Sequence, residues 1–151
     1  MRFTLALALT FTVFLTLSFP AYANNGWVVM SSSNNVDVTT EKLTEAIEEA
    51  GVTVFAVVDH AENADGAGLE LVPTRLVIFG NPRIGTPIMQ ADPLAAHDLP
   101  VRVLIWERAG ETRLAALSSD AFRSRYSLDA ASEPLAKMQK ALEKFMSAAS
   151  K

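Results

Sequence analysis

Hydrophobic and polar positions along this chain change their period several times, and each change marks an element. "WVVMSSS", Trp27 to Ser33, is a short β-rich run that reads as a strand. "NNVDVTTEKLTEAIEEAG" follows, with Leu43 and Ile47 four apart and Ala46 and Ala50 beside them, the spacing of one helix face. Asp37 or Thr39 is placed to cap that helix through a side-chain oxygen. Gly51 is placed to end it in a left-handed conformation. "VTVFAVVDH" is apolar at alternate and intervening positions alike, which predicts a central strand covered on both sides.

"AENADGAGLELVP" breaks the pattern and predicts an irregular or briefly helical crossing. "TRLVIFG", bounded by Pro73 and Gly80, is a strand. "VRVLIWE" and "ETRLAALS" form two further strands, joined across "RAGE", where Gly110 supplies the turn. "DAFRSRYSL" predicts a short helix. Leu135, Met138, Leu142, Phe145 and Met146 recur at helical spacing through the last segment, with Lys137, Lys140, Glu143 and Lys144 on the polar side. Strands and helices are mixed, and the later strands make a hairpin, so the expected class is α+β with about five strands. No internal repeat or linker divides it.

The first 23 residues follow a different logic. "MRFTLALALTFTVFLTLSFPAYA" has a basic start at Arg2, an apolar run from Leu5 to Phe19 and an A-x-A triplet ending at Ala23. This is the pattern of a signal peptide, 1–23, cut after Ala23, and the run is short for a spanning helix. The alternative is a retained anchor. Cleavage leaves a single domain, 24–151, and a periplasmic or secreted location.

The whole chain carries 13 Lys+Arg and 17 Asp+Glu, a net charge of −4; loss of Arg2 makes the mature chain one unit more negative. No basic block exists to hold nucleic acid or an anionic membrane surface, so no nucleic acid and, after cleavage, no membrane is expected as partner. There is no cysteine, which excludes disulfides, thiolate metal sites and cysteine nucleophiles.

The segment from Phe79 to Glu107 holds Pro82, Pro87, Pro93 and Pro100 between two strands. Each proline fixes its own φ and biases the residue before it, so the segment holds one shape at low entropic cost. That suits a ligand pocket or a subunit contact. A short helix starting near Thr86, with Pro87 in its first turn, fits "IGTPIMQA". "GNPRIGTP" lacks the spacing of a phosphate loop, and no serine sits in a nucleophile elbow. His60 ends the second strand and is a candidate base or ligand; Thr86 and Asp98 are its candidate catalytic partners. His60 and Met89 are also residue types that ligate haem, but no spacing motif joins them. No metal site is assigned, and the cofactor, if any, is unknown.

The motifs "DHA" at Asp59–Ala61, "GLEL" at Gly68–Leu71, "FGNP" at Phe79–Pro82, "GTPIMQ" at Gly85–Gln90 and "DLP" at Asp98–Pro100 occur in order. Over about Val36 to Leu128 the chain resembles the bacterial and archaeal family known as domain of unknown function 302. That resemblance implies a strand–helix start, a mostly antiparallel sheet with helices packed on it, and a homodimer. It carries no activity. It implies that His60, Asn81, Pro82, Gly85, Thr86, Pro87, Met89, Asp98 and Pro100 gather at one place, and Gln90, the last residue of "GTPIMQ", is taken with them as a ligand-binding candidate. Tyr126 stands where relatives often have histidine.

The expected function is a non-catalytic module, acting as a homodimer, that binds a small molecule or a protein. The site would be a wall built from "GNPRIGTPIMQ" beside His60, with Gly85 giving the backbone a freedom other residues lack. The alternative is a small hydrolase or isomerase with His60 as base; a haem or metal protein is a weaker third. In "VRVLIWE", Leu104 and Trp106 take one face with Arg102, while Val101, Val103 and Ile105 take the other. Both faces need cover, and the second is expected to be covered by the final helix or by another subunit.

Overall fold

The computed structural model describes residues 26–151; the expected signal segment and its cleavage site lie outside the described residues. In chain order the elements are β1 (Trp27–Ser32), α1 (Val36–Glu49), β2 (Thr53–Asp59), α2 (His60–Gly66), β3 (Thr74–Gly80), α3 (Pro82–Ala91), β4 (Val101–Arg108), β5 (Glu111–Leu117), α4 (Ser119–Arg125) and α5 (Ser132–Ala149). Two 3-10 turns, Pro93–His97 and Asp129–Ala131, precede β4 and α5. The five strands form one antiparallel sheet in the order β1-β5-β4-β3-β2. This is the expected α+β class.

The helix α1 begins at Asn35, whose Oδ1 accepts from the Val38 N–H at 2.9 Å. Asp37 and Thr39 are therefore not the cap. Asp37 pairs instead with Arg75, and the buried Thr39 hydroxyl donates to the Asn35 carbonyl at 2.7 Å. The end of α1 matches expectation. Gly51 has φ +68, its N–H donates to the Glu48 carbonyl, and Val52 donates to Ile47. That double closure uses carbonyls the helix cannot satisfy itself. Between β4 and β5, Ala109 and Gly110 both have positive φ, the geometry of a tight hairpin whose twist matches its strands.

Two more expectations fail. β2 is an edge strand, not a central one, because β3 pairs with β4 on its other side. Its register shifts between Val54 and Ala56, and Phe55 and Val57 are 56% and 44% exposed. The bulge breaks the alternation and makes a half-covered strand look apolar on both faces. Nor does α3 start near Thr86. Asn81 caps it, accepting from the Arg83 N–H at 2.9 Å, and Pro82 occupies its first turn. Pro87 lies inside the helix. The carbonyl it leaves without a helical donor belongs to Arg83, an exposed residue that water can serve.

Hydrophobic residues gather in two clusters. The larger lies between the sheet and the pair α1 and α5, with Leu43, Ile47, Val77, Val103, Ile105, Leu114 and Met146 fully buried. The smaller joins Ile88 of α3, Phe122 of α4 and Leu128 to Leu135 and Met138 of α5. α5 thus serves both, its first half in one cluster and its second half in the other. Its second half shares a cluster with Val103 and Ile105 of β4, so the final helix is the cover that the Val101, Val103 and Ile105 face was expected to find. Among the described residues no helix is long and apolar enough to cross a membrane.

Candidate functional site

An apolar cleft of about 220 Å³ opens where the two clusters meet. Its walls are the last residues of β3, the first of β4, one side of α3 and the middle of α5. Phe79 and Phe145 meet edge to face at its base, ring centroids 5.9 Å apart. Ile84, Gly85 and Met89 line it from α3, and Met138, Ala141 and Leu142 face them from α5. Leu99, cis-bonded Pro100 and Val101 line it too, as do Val52 and Phe55. Gly80 lets Phe55 and Pro100 approach each other across β3. A Cβ there would lie 3.3 Å from the Phe55 ring and 3.4 Å from Pro100.

Among the described residues, Asn81 and Thr86 bring the only side-chain polar groups to the lining, and no titratable side chain lines it. The Asn81 amide oxygen is already engaged by the α3 cap. The exposed Thr86 hydroxyl is the one lining side-chain hydroxyl that a ligand can meet at the rim. Such a surface can strip water from an apolar group and orient it; it offers no acid or base of its own.

Of the residues expected to gather, Asn81, Pro82, Gly85, Thr86, Met89 and Pro100 line this cleft. Pro87 and Gln90 share α3 but do not line it. Gly85 has an ordinary helical backbone, and a Cβ added to it would meet only the Met89 methyl at 3.9 Å. The expected conformational need for glycine is therefore absent at this position. His60 is elsewhere. Antiparallel pairing sets Gly80 opposite Thr53 and Arg75 opposite Asp59, so the cleft lies at the start of β2 and His60 beyond its end. From Phe55, the cleft residue of β2 nearest to it in sequence, His60 is five residues on, about 16 Å along the strand. His60 cannot act with Thr86, nor share a haem with Met89. Among the described residues, no three of His, Asp and Glu gather to hold a metal ion.

Asp98 belongs to a third place. Its buried carboxylate accepts from Arg102 at 3.0 Å, Arg125 at 2.7 Å and the Tyr126 hydroxyl at 2.7 Å. Burial pushes its pKa up, but the Tyr126 and Arg125 hydrogen bonds outweigh that, and the carboxyl titrates below its ordinary value. The same bond raises the Tyr126 phenol. The arrangement ties β4 to α4. A second clasp sits near His60, where Arg75 bridges Asp37 of α1 at 2.6 Å and Asp59 at 2.8 Å. Asp59 also caps α2 through the Glu62 N–H. That backbone bond and Arg75 lower its pKa.

Sequence reasoning missed the α5 wall and Phe55. The α5 residues do show a signal, the helical repeat of Met138, Leu142 and Phe145, but a repeat gives the face and not what the face opposes. Phe55 looked like strand core because its bulge is invisible in the pattern.

The sheet, the two-cluster packing and the cleft define an α+β domain with an apolar recess rather than a recognisable catalytic centre. The chain belongs to the family described as Domain of unknown function DUF302, whose sequence model matches residues 28–145. That match runs beyond the motifs at both ends and takes in much of α5. A crystal structure of an uncharacterized conserved protein DUF302 from Bacillus stearothermophilus superposes with a TM-score of 0.75 at 18% identity, covering 84% of this chain and 99% of that one. At that identity the likeness concerns the fold. The chain is also 43% identical over 84 residues to fluoride-specific ion channel FluC 1 of Brucella suis biovar 1 (strain 1330). It matches FluC 2 of Brucella melitensis biotype 1 equally well. The matched segment is 56% of this chain but 33% and 31% of those proteins. The chain spans about a third of the length of the curated relatives it matches.

Proposed function

We propose that this protein is an exported, non-catalytic binding module that takes an apolar ligand into the cleft between α3 and α5. The observation that carries the reading is the lining: five side chains from α3 and α5, the Phe79–Phe145 pair and Pro100 converge with no titratable group among them. The volume suits a single ring or a short alkyl chain; a dry engineered cavity of about 150 Å³ already holds benzene. Burying on the order of 150 Å² of ligand surface gives about 4 kcal/mol before the costs of association, so such a small ligand would bind no tighter than about millimolar. Sequence of this kind also occurs as one third of larger proteins, which supports a module used alongside other functions.

The test is titration with n-butylbenzene and with octanoate, followed by NMR shifts of the Met89 and Met138 methyl groups. The wild type should bind at least one of them. Ala141→Trp, which places an indole in the recess, should abolish the shifts while the fold is retained. Shifts in neither methyl at saturating probe would defeat the proposal. So would a hydrolase or isomerase activity that disappears in His60→Gln.

A further inference from the structure

The geometry points to the free edge of β1 as a docking strand for an extended peptide of another protein, one in which apolar and basic residues alternate. β1 and β2 are the two edges of the sheet. The β2 register shifts between Val54 and Ala56, and such a bulge turns an edge away from new partners. β1 keeps an unbroken register with β5 from Trp27 to Ser32.

Two hydrogen bonds fix which backbone groups of β1 face outward. Ser118 donates to the Gly26 carbonyl at 2.8 Å, so Gly26, Val28 and Met30 turn their polar groups toward β5. Alternate residues of an antiparallel strand turn theirs the other way. Ser33 belongs to that second set, and its N–H donates outward, to the Ser150 carbonyl past the end of α5 at 3.0 Å. The N–H and C=O groups of Trp27, Val29 and Ser31 face the same way and find no partner among the described residues. Backbone groups in this array are what an added strand bonds to.

The surroundings of the edge say which peptide fits. A groove of about 610 Å³ lies between β1, α4 and α5. Gly26 lets the strand start close against α4, since a Cβ there would lie 2.7 Å from the Ala121 Cβ. Asp120 of α4 and Glu143 of α5 line the groove. Arg125, the one basic side chain of the lining, is turned to Asp98 at 2.7 Å. A cationic side chain entering the groove therefore meets two carboxylates, and an anionic one is repelled. The other face of the strand is apolar. Val28 and Met30 pack toward the larger core, while Trp27 and Val29 point away from it, 45% and 37% exposed. Side chains of a docked strand alternate in the same way. One set lies beside Trp27 and Val29 and is apolar; the other lies over α4 and α5 and is basic.

The test uses the acetylated, amidated peptide Val-Lys-Val-Lys-Val and its Val-Glu-Val-Glu-Val counterpart, followed by amide NMR. The lysine peptide should shift the Trp27, Val29 and Ser31 amides and slow their hydrogen exchange, which is fast in the free protein; the glutamate peptide should do neither. Asp120→Asn with Glu143→Gln should weaken the lysine peptide about fivefold. Val29→Pro removes an outward N–H, a change an edge strand tolerates, and should abolish binding with unchanged far-UV circular dichroism. Methylating the central valine nitrogen of the peptide should abolish it too. No shift in those amides at millimolar peptide overturns the inference, as does equal binding of the two peptides or binding that survives Val29→Pro. If Val29→Pro does not fold, undiminished binding of the methylated peptide overturns it. Protection of the three amides in the free protein also overturns it, because the edge is then already taken.

Discussion

Replacing Asp98 with asparagine removes one charge from the clasp between β4 and α4 and changes almost nothing else in shape. The carboxylate is 9% exposed, while its partners Arg102 and Arg125 are 42% and 49% exposed. Losing one member of a fully buried pair costs about 3–5 kcal/mol. Half-exposed guanidiniums recover hydration when released, which cuts that figure roughly in half. Asparagine keeps one accepting oxygen but turns an amide N–H2 toward donors. The expected loss is about 2 kcal/mol, or about 4–8 °C in Tm for a chain of this size. The pH dependence gives a sharper check. The folded pKa of Asp98 lies below its unfolded value. Its contribution is therefore complete above the unfolded pKa, about 3.9, and is lost as pH falls through the folded value. Urea unfolding of wild type and Asp98→Asn should show a level gap from pH 8 to pH 5 that closes below about pH 4. A gap that persists unchanged at pH 3, or no gap at pH 7, would refute the reasoning.

Two further substitutions separate backbone, cleft and surface. Gly85→Ala should raise stability by about 0.5–1 kcal/mol, since the site is helical and roomy; a loss in urea unfolding would mean that glycine is required there after all. His60→Gln should change stability by less than about 0.5 kcal/mol and leave probe uptake by the cleft intact, as both follow from its exposed place at the far end of β2. A shift in the Met89 methyl resonance on that substitution would contradict the geometry.

Much of this arrangement was legible because local rules agreed with the tertiary outcome. "TRLVIFG", the Gly110 hairpin and the repeat from Leu135 to Met146 each carry their own period and punctuation, and each formed as read. The proline-rich stretch pointed to Asn81, Pro82, Gly85, Thr86 and Met89, which share the cleft. What failed was decided at a distance. His60 and Asn81 both follow strand ends in sequence, but adjacent strands run in opposite directions, so their exits fall at opposite edges. The edge position of β2 follows from pairings made by β1 and β5, which no window around Val54 contains. The start of α3 was misread because both Pro82 and Pro87 satisfy the first-turn rule; Asn81, as the better cap, decided between them.

The order of the sheet has a consequence for how the chain becomes a protein. β1, first of the described strands, pairs with β5, whose partner residues come 80 to 90 positions later, a costly loop to close before any contact rewards it. The larger core also waits for α5, the last helix. A nascent chain that has produced only β1 through β3 holds the β2–β3 pair, a β1 without its neighbour β5 and an α1 face without its opposite wall. Assembly is therefore deferred almost to the final residue, and a truncation before Glu111 should yield no folded remnant, only a chain still open to whatever handles it next.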